Sequence, residues 1–383
     1  MGAMMRVSGR WPRAVRAALL AGFGLAPGPA RGDAGVEATP SLSVAQVYDD
    51  NIFYSASSPQ ADRIARITPA LALGYHGARL SASGRYGFDA ESFSEHPEMS
   101  DSMMRQRAEL DLAFEPARSW SASLTGTYAR TRTPGDFNTQ TGFLEGRASA
   151  ERWSLGPAIT ARLGAATQVR AGSTFIREEV SGSTAIDTRI ESLDLDRGVS
   201  PRDTVGLGIL LRQFRFDDGT AIASRAVTLG WSRKASARTE LTLRAGPRFT
   251  EGAVDAEVSA SLRFRLKTGD LSAAYTRSMT TVAGEGAATD FDTLGLTIAG
   301  RPRRTWRLSL APSVTRIMGQ GNRSEARVYQ ALLSASRPLG RWLSFNGSVQ
   351  FTAQRGTLAP AALPAEQEIR HTLLLVGVSA SYR

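Results

Sequence analysis

The feature that most constrains this chain is a two-residue hydrophobic repeat that runs from about residue 40 to the C-terminus. The last thirteen residues, 371–383, read HTLLLVGVSASYR, and one face of that segment would carry Leu374, Val376, Val378, Ala380 and Tyr382. Side chains alternate between the two faces of a strand, so the repeat predicts a strand with one apolar face. An exposed strand edge promotes association with other chains. We therefore expect this last strand to pair with PSLSVAQVY at 40–48 and to close the sheet.

The same alternation recurs along the whole chain. In the segment 257–266, for example, Val258, Ala260, Leu262, Phe264 and Leu266 alternate with charged and hydroxyl residues. Each segment is roughly 10 to 14 residues long, which suits a tilted strand that crosses a bilayer. Strands of soluble proteins are usually shorter, about five or six residues.

The connections between these segments fall into two classes. Tight, turn-rich connections lie at 76–78, 115–119, 164–167, 200–203, 234–238, 267–270, 301–304 and 337–341. Longer polar connections alternate with them, at 49–62, 90–102, 132–149, 181–187, 217–221, 250–254, 281–290, 318–325 and 355–368. Short periplasmic turns and longer extracellular loops are typical of outer-membrane barrels.

This pattern predicts an all-β protein, a transmembrane antiparallel β-barrel of about 18 strands. Sixteen strands is the alternative, because the segment 132–149 could contain extra strand. A soluble propeller would need shorter strands and a recurring motif in each repeat. The longest loops, 132–149 and 355–368, are the candidates for a constriction of the bore.

The N-terminal segment has the three parts of a secretory signal peptide. Four arginines precede the apolar run 17–26, and the small residues Ala30 and Gly32 precede a cleavage point before Asp33. We expect a signal peptide at 1–32 and a single barrel domain at 33–383. Cleavage would remove five arginines and lower the formal net charge from +10 to +5, so basicity gives little support for nucleic-acid binding.

Catalytic and metal-binding motifs are missing from the sequence. The chain has no cysteine and three histidines, His76, His96 and His371. None belongs to a nucleophile or zinc motif of a known spacing. We therefore expect no enzyme activity, no cofactor and no metal.

The predicted inner face is rich in arginine. Counting alternate residues places ten arginines toward the bore: Arg85, Arg107, Arg162, Arg170, Arg212, Arg244, Arg248, Arg263, Arg265 and Arg307. Seven carboxylates share that interior: Asp89, Glu109, Asp111, Asp194, Asp196, Glu240 and Glu257. The arginines could form an anion-attracting wall, or they could pair with the carboxylates across strands. We expect a mild preference for anions.

Aromatic residues fall mostly on the predicted outer face near strand ends, as in the aromatic girdles of membrane barrels. By residue parity, Phe214, Phe291 and Trp342 are the exceptions that face the bore. An inner stacking track for sugars would need more of them.

The segment QVYDDNIFYS at 46–55, with Tyr48, Asp49, Asp50 and Asn51, suggests a family. Together with DRIARITPALALGYHG at 62–77 and RGVSPRDTVGLGILLRQFRFDD at 197–218, it resembles the β-barrel porin 2 type of outer-membrane protein. The resemblance is to members encoded beside exopolysaccharide genes and covers roughly residues 40 to 383. It implies an outer-membrane pore or an accessory of polysaccharide secretion, and it supplies no catalytic residues.

Two interpretations of Asp49, Asp50 and Asn51 remain open. Their oxygens could contact a cation or a sugar at the extracellular mouth. Alternatively, they could form an Asx-type turn that satisfies local backbone donors at the end of the first strand.

These patterns predict a porin-like channel for solute diffusion or exopolysaccharide secretion. The alternative is a non-conducting barrel that anchors a secretion complex. Expected partners are the lipid bilayer, the outer-membrane assembly machinery and polysaccharide or its export proteins, with no nucleic acid. The terminal strand looks like the signal that the assembly machinery reads, although Arg383 follows the closing aromatic Tyr382.

Overall fold

A computed structural model of the chain describes residues 35–284, 287–318, 325–357 and 366–382. The signal peptide predicted at 1–32 lies outside the described residues. The described chain forms one antiparallel sheet of eighteen strands. The strands are β1 Gly35–Asp49, β2 Asp62–His76, β3 Leu80–Phe93, β4 Asp101–Ala117, β5 Trp120–Thr131, β6 Ala150–Arg162, β7 Thr167–Val180, β8 Ile186–Gly198, β9 Asp203–Phe216, β10 Ala221–Lys234, β11 Thr239–Thr250, β12 Ala253–Arg265, β13 Gly269–Thr281, β14 Ala288–Arg303, β15 Trp306–Met318, β16 Glu325–Pro338, β17 Leu343–Thr357 and β18 Glu366–Ser381.

Each strand pairs with its neighbours in the sequence, and β1 also pairs with β18. The closing register runs from Ser41 opposite Ser381 to Asp49 opposite Leu373. This confirms the predicted barrel of eighteen strands and the predicted pairing of 40–48 with the last strand. Closure leaves neither β1 nor β18 with an unpaired edge.

The outer face of the barrel is apolar. Leu73 is 51% exposed, Ile209 is 39% exposed and Val376 is 45% exposed, all at mid-strand positions. The residues between them in sequence face the bore, as period-two geometry requires. Large exposed apolar side chains arranged in a continuous band are the expected outer surface of a membrane barrel.

Aromatic side chains gather on this outer surface near the short turns. Phe114 contacts Trp120 with ring centroids 6.0 Å apart, and Trp306 contacts Phe345 at 6.3 Å. Trp342, expected on the bore side, instead lies in a turn and packs against Tyr382 at 5.7 Å. Residue parity fails for Trp342 because it lies between β16 and β17 and not within a strand.

The two ends of the barrel carry different connections. We call the end with connections such as 77–79 and 118–119 the short-turn end, and the opposite end, which carries 50–61 and 132–149, the long-loop end. Several connections at the long-loop end are shorter than expected: 90–102 contracts to 94–100, and 250–254 contracts to 251–252. The strands are correspondingly longer than expected, up to 17 residues in β4.

Within the described residues, helical structure is limited to two 3-10 turns, Pro97–Met99 and Pro134–Phe137. No helix of the described chain has the length and hydrophobicity needed to cross a membrane.

Candidate functional site

The segment 132–149 between β5 and β6 folds into the bore and reaches the opposite wall. We call it the inward loop. Leu144 donates its backbone N–H to Oε1 of Gln354 on β17 at 2.7 Å, and Nε2 of Gln354 donates to the Leu144 carbonyl at 3.3 Å. Thr293 on β14 donates its hydroxyl to the carbonyl of Gln140 at 3.2 Å. Around the closed ring of eighteen strands, β14 lies nine strands and β17 six strands away from β5, so the inward loop crosses the bore.

Apolar side chains hold the inward loop against the bore face. Phe143 packs with Val282, Ile317 and Val328 in a buried cluster. Phe137 packs in a second cluster with Ala150 and neighbouring residues, and Leu144 packs with Tyr54 and Ile369 in a third. Full burial of one apolar side chain of this size contributes about 1.5 to 3 kcal/mol. The loop is therefore anchored at several points of the wall.

Polar contacts complete the attachment. Oδ1 of Asn138 accepts the backbone N–H of Ala283 at 2.8 Å. Arg147 donates Nε to the carbonyl of Ile52 at 2.5 Å, and its guanidinium lies 5.3 Å from the Phe93 ring centroid. Burial lowers the pKa of the Arg147 guanidinium below its usual range. Burial, with the Asp49 charge second, raises the pKa of Tyr54 to about 12.

One glycine of the inward loop is required by its backbone and its surroundings. Gly142 has a φ of +65°, which residues with a Cβ rarely adopt. An added Cβ would also overlap the amide of Gln330 on β16. Gly142 therefore permits both the turn and the close approach to the opposite wall.

The inward loop leaves a cavity of about 460 Å³ between itself and one side of the wall. Five consecutive loop residues, 137–141, form one side. The other side consists of bore-facing residues of β6 to β9 and of β13 and β14. Half of the lining residues carry a hydroxyl or amide group, and apolar residues make up most of the rest, including Phe214 and Phe291, both of which parity predicted toward the bore.

Charged groups beside this cavity are neutralised in pairs. Arg152 lies 3.2 Å from Glu178. Arg212 donates to both carboxylate oxygens of Glu257 at 3.2 and 2.7 Å, and also to Ser278 at 2.8 Å. The charges that line this cavity are thus paired with opposite charges of the wall.

Arg248 extends this network. It is 1% exposed and lies within ion-pair distance of Asp255, Glu257 and Asp290. Farther along β11, Arg244 contacts Asp194, and its other terminal nitrogen lies 2.9 Å from Asp196. These arginines link strands up to three positions apart around the wall through carboxylates.

The ten predicted arginines all lie on the strand face opposite to the exposed apolar side chains. They do not form one group. Arg212, Arg244 and Arg248 belong to the carboxylate networks, and Arg263 lies 3.5 Å from Asp270. Among the described residues, six have no carboxylate within 4 Å: Arg85, Arg107, Arg162, Arg170, Arg265 and Arg307. The pairing alternative therefore holds for four of the ten arginines, and an anion-attracting role of the other six stays a prediction.

The short-turn end has an excess of positive charge. We define its rim as the connections between strands, each with one flanking strand residue on either side. That rim has eleven basic residues and one acidic residue, Asp203. The basic residues are Arg79, Arg118, Arg162, Arg202, Lys234, Arg238, Arg265, Lys267, Arg303, Arg304 and Arg341. None of the eleven has a carboxylate within 4 Å among the described residues.

The long-loop end has the opposite balance. By the same definition, its described residues include two arginines, Arg132 and Arg147, and twelve carboxylates. The carboxylates are Asp49, Asp50, Asp62, Glu95, Glu98, Asp101, Asp136, Glu145, Asp217, Asp218, Glu251 and Glu325. The two rims therefore differ in the sign of their charge.

The Asp-Asp-Asn motif forms a local turn. Asn51 donates its backbone N–H to Oδ1 of Asp49 at 3.0 Å, and the same carboxylate oxygen lies 3.0 Å from Nε2 of His371. Asp50 accepts the backbone N–H of Thr372 at 2.6 Å. These contacts satisfy backbone groups at the β1–β18 junction, as the turn interpretation expects, and the described residues contain no cluster suited to a metal ion. Tyr48 points outward and is 42% exposed.

The terminal strand has the predicted facing. Leu374, Val376, Val378 and Tyr382 are each about two-fifths exposed on the outer surface, and Ala380 shares their face. On the inner face of the same strand, His371 is 3% exposed and packs 4.9 Å from the Tyr54 ring.

Sequence reasoning identified the inward loop by its length but missed the residues that attach it. The second candidate, 355–368, lies largely outside the described residues, since 358–365 are not described. Gln354, Thr293 and Asn138 have no sequence signal of their own. The apolar residues at inner positions, such as Ile317 and Val328, break the alternation locally and were the available sign of an internal contact.

Comparisons with known proteins give a likeness of architecture. No family model matches the chain, and no curated protein matches it. The resemblance to the β-barrel porin 2 type therefore stays a prediction.

Among solved structures, OpdQ of Pseudomonas aeruginosa is 9% identical with a TM-score of 0.46, over 91% of this chain and 98% of that chain. OccAB4 of Acinetobacter baumannii is 8% identical with a TM-score of 0.48, over 90% and 98%. The siderophore receptor PirA of Pseudomonas aeruginosa is 11% identical with a TM-score of 0.43, over 91% and 80%.

Proposed function

We propose that this chain is an outer-membrane pore for small polar solutes, in which the inward loop sets the width of the passage. The observation that carries the proposal is the polar cavity of about 460 Å³ between the inward loop and the wall. A barrel of eighteen strands is wide enough to enclose an aqueous bore unless a segment fills it. Here one loop narrows the bore and leaves a hydroxyl-lined space beside it.

The apolar outer band is the observation that supports a location of this barrel in a lipid bilayer. Its side chains gain stability when lipid replaces water around them. The expected orientation places the short turns in the periplasm and the loops outside. The assembly machinery is the proposed partner of β18, whose apolar face ends in Tyr382.

Passage of an exopolysaccharide is the finer form of the proposal. The lining supports it by combining hydroxyl and amide groups with Phe214 and Phe291, groups that bind sugars through hydrogen bonds and stacking. Extracellular polysaccharide in a deletion strain and its parent is the direct comparison. An unchanged polymer yield would leave solute diffusion as the function.

A non-conducting anchor is the second candidate, and one observation favours it. Val47, Ile52, Ile64, Phe93 and Met104 form an apolar cluster on the inner side at the long-loop end. Together with the clusters around Phe137 and Phe143, it fills much of that end with apolar side chains, and such a filling excludes water.

Single-channel recording in planar bilayers separates the two candidates. The pore predicts discrete current steps, and replacement of residues 135–146 by a short Gly-Ser linker should raise the conductance about two- to fivefold. A matched control replaces 95–99, a loop at the same end whose contacts are to nearby residues of β2 and the first loop. Silence of both the wild type and the linker variant would favour the anchor. Equal conductance of the two would remove the inward loop as the constriction.

A further inference from the structure

A second cavity, separate from the inward loop, opens at the short-turn end. Two adjacent turns, 266–268 and 304–305, and the strand ends beside them enclose about 980 Å³. Ser309, Ser334 and Ser336 supply hydroxyls to its lining, and Ser309 and Ser334 are hydrogen-bonded to each other at 2.7 Å. We call this space the basic pocket.

Close backbone packing forms one wall of the basic pocket. Arg301 donates its backbone N–H to the carbonyl of Thr268 at 2.7 Å. A Cβ at Gly269 would overlap the carbonyl oxygen of Ala299. The turns that carry the basic side chains are therefore held in one arrangement by main-chain contacts.

Six basic residues line the basic pocket against one carboxylate. They are Arg265, Lys267, Arg301, Arg303, Arg304 and Arg307, and the carboxylate belongs to Asp270. Asp270 lies 3.5 Å from Arg263, which is outside this set. None of the six has a carboxylate within 4 Å in the described part of the chain.

The basic residues of the basic pocket differ from other bore arginines in their lack of carboxylate partners among the described residues. Arg212, Arg244 and Arg248 each form an ion pair with one or more carboxylates, so their positive charge is neutralised by the protein itself. In the basic pocket, the like charges repel one another and are not compensated by the protein. Such a concave positive surface concentrates anions and increases their association rate.

The side chains also indicate which anion fits. A guanidinium group binds carboxylate and phosphate oxygens with two parallel hydrogen bonds, and the serine hydroxyls can donate to further oxygens. The lining has no aromatic residue on which a base or a sugar ring could stack. These features suit a compact ligand with several anionic groups.

We propose that the basic pocket binds small multivalent anions that carry carboxylate or phosphate groups. The inference rests on the proposed function in one respect, since it takes the pocket as a mouth of the conducting bore. It goes beyond that function by naming a binding site and a ligand class.

Isothermal titration calorimetry on the detergent-folded protein at low ionic strength tests binding without requiring conduction. Citrate and pyrophosphate are the two probes, and they distinguish a carboxylate ligand from a phosphate ligand. The triple variant Arg301→Gln, Arg304→Gln, Arg307→Gln should weaken binding of the preferred probe at least about tenfold. The control variant Arg79→Gln, Arg118→Gln, Arg202→Gln removes the same charge from the same rim outside the pocket and should change affinity less than about twofold.

Asp270→Asn provides a second variant with the opposite expected sign. It removes the carboxylate of the pocket, so binding should tighten by about two- to fivefold. Circular dichroism of each variant checks that the barrel has formed. Equal weakening in the pocket and control triples would overturn the proposal, because binding would then belong to the whole rim. No heat of binding with either probe would overturn it directly.

A bilayer measurement separates this inference from the proposed function. The preferred anion, added on the short-turn side, should reduce the current of the wild type and not that of the pocket variant. If the protein binds the anion but never conducts, the pore is refuted and the binding site stands. If it conducts but binds neither anion, the pore stands and the binding site is refuted.

Discussion

The two ends of this barrel use the same residue type for different purposes. Near the long-loop end, Arg212 and Arg248 are surrounded by carboxylates and take part in packing the wall. At the short-turn end, arginines such as Arg304 and Arg307 have no carboxylate within 4 Å among the described residues. The difference teaches that a count of inner arginines does not measure the charge available to a solute.

The largest expected contrast is in stability. Arg248→Met leaves Asp290 and Glu257 without the cation between them, and removal of one member of a buried ion-pair network costs about 3 to 5 kcal/mol. Arg304→Met removes an unpaired, exposed cation and should leave the free energy of unfolding unchanged. Guanidinium unfolding in detergent, followed by tryptophan fluorescence, measures both. Similar losses of unfolding free energy in Arg248→Met and Arg304→Met would contradict the proposed difference between the two ends.

An alkaline titration tests whether Tyr54, at the long-loop end, is buried in the folded protein. Because burial raises the pKa of Tyr54 to about 12, the folded protein keeps this phenol neutral when the unfolded chain ionises it near pH 10. The stability contributed is complete below pH 10 and is lost by about 1.4 kcal/mol per pH unit as the pH rises toward 12. Tyr54→Phe should abolish this part of the pH dependence. Parallel curves for the wild type and Tyr54→Phe between pH 10 and 12 would show that Tyr54 is not buried.

The attachment of the inward loop can be weakened at one residue. Gln354→Ala leaves the buried N–H and carbonyl of Leu144 without partners, which should cost about 1 to 3 kcal/mol and increase the noise of the open-channel current. Gln350→Ala is the control, because Gln350 lies on the same face of β17, four residues closer to the short-turn end. Quiet, unchanged recordings from Gln354→Ala would mean that other contacts fix the loop.

The smallest expected effect is a salt-dependent rectification of the current, caused by the opposite charges of the two rims. Unpaired charges at opposite mouths should make the current rectify at 0.1 M salt, where the screening length is about 10 Å, and much less at 1 M, where it is about 3 Å. Current–voltage curves of a singly inserted, oriented channel measure this. Rectification that persists at 1 M salt would have to come from the shape of the bore.

The sequence predicted the barrel well because its signal is local and repeated. Leu374 to Tyr382 alternate outward as expected, and residues 40–48 close the sheet with them. The site was predicted only in part. The length of 132–149 identified the inward loop, but its partner Gln354 lies 210 residues away from Leu144. No sequence pattern near Leu144 or Gln354 predicts their contact.

The arginines show the same limit. Parity is a property of single strands, and Arg212 and Arg265 lie on the face opposite to the exposed apolar side chains of their strands. Whether each has a carboxylate partner depends on strands up to three positions away around the wall. Arg212 on β9 reaches Glu257 on β12, and it also reaches the Ser278 hydroxyl on β13, four positions away. Neutralisation of that kind is set by the stagger and curvature of the closed sheet.

Sequence alone was sufficient to predict the two faces of each strand and a count of about eighteen strands, because both follow from short-range alternation and turn composition. Tertiary structure alone decided which cations stay unpaired and how the inward loop spans the bore. Those outcomes depend on distances across the barrel, and such distances exist only once β1 and β18 have joined.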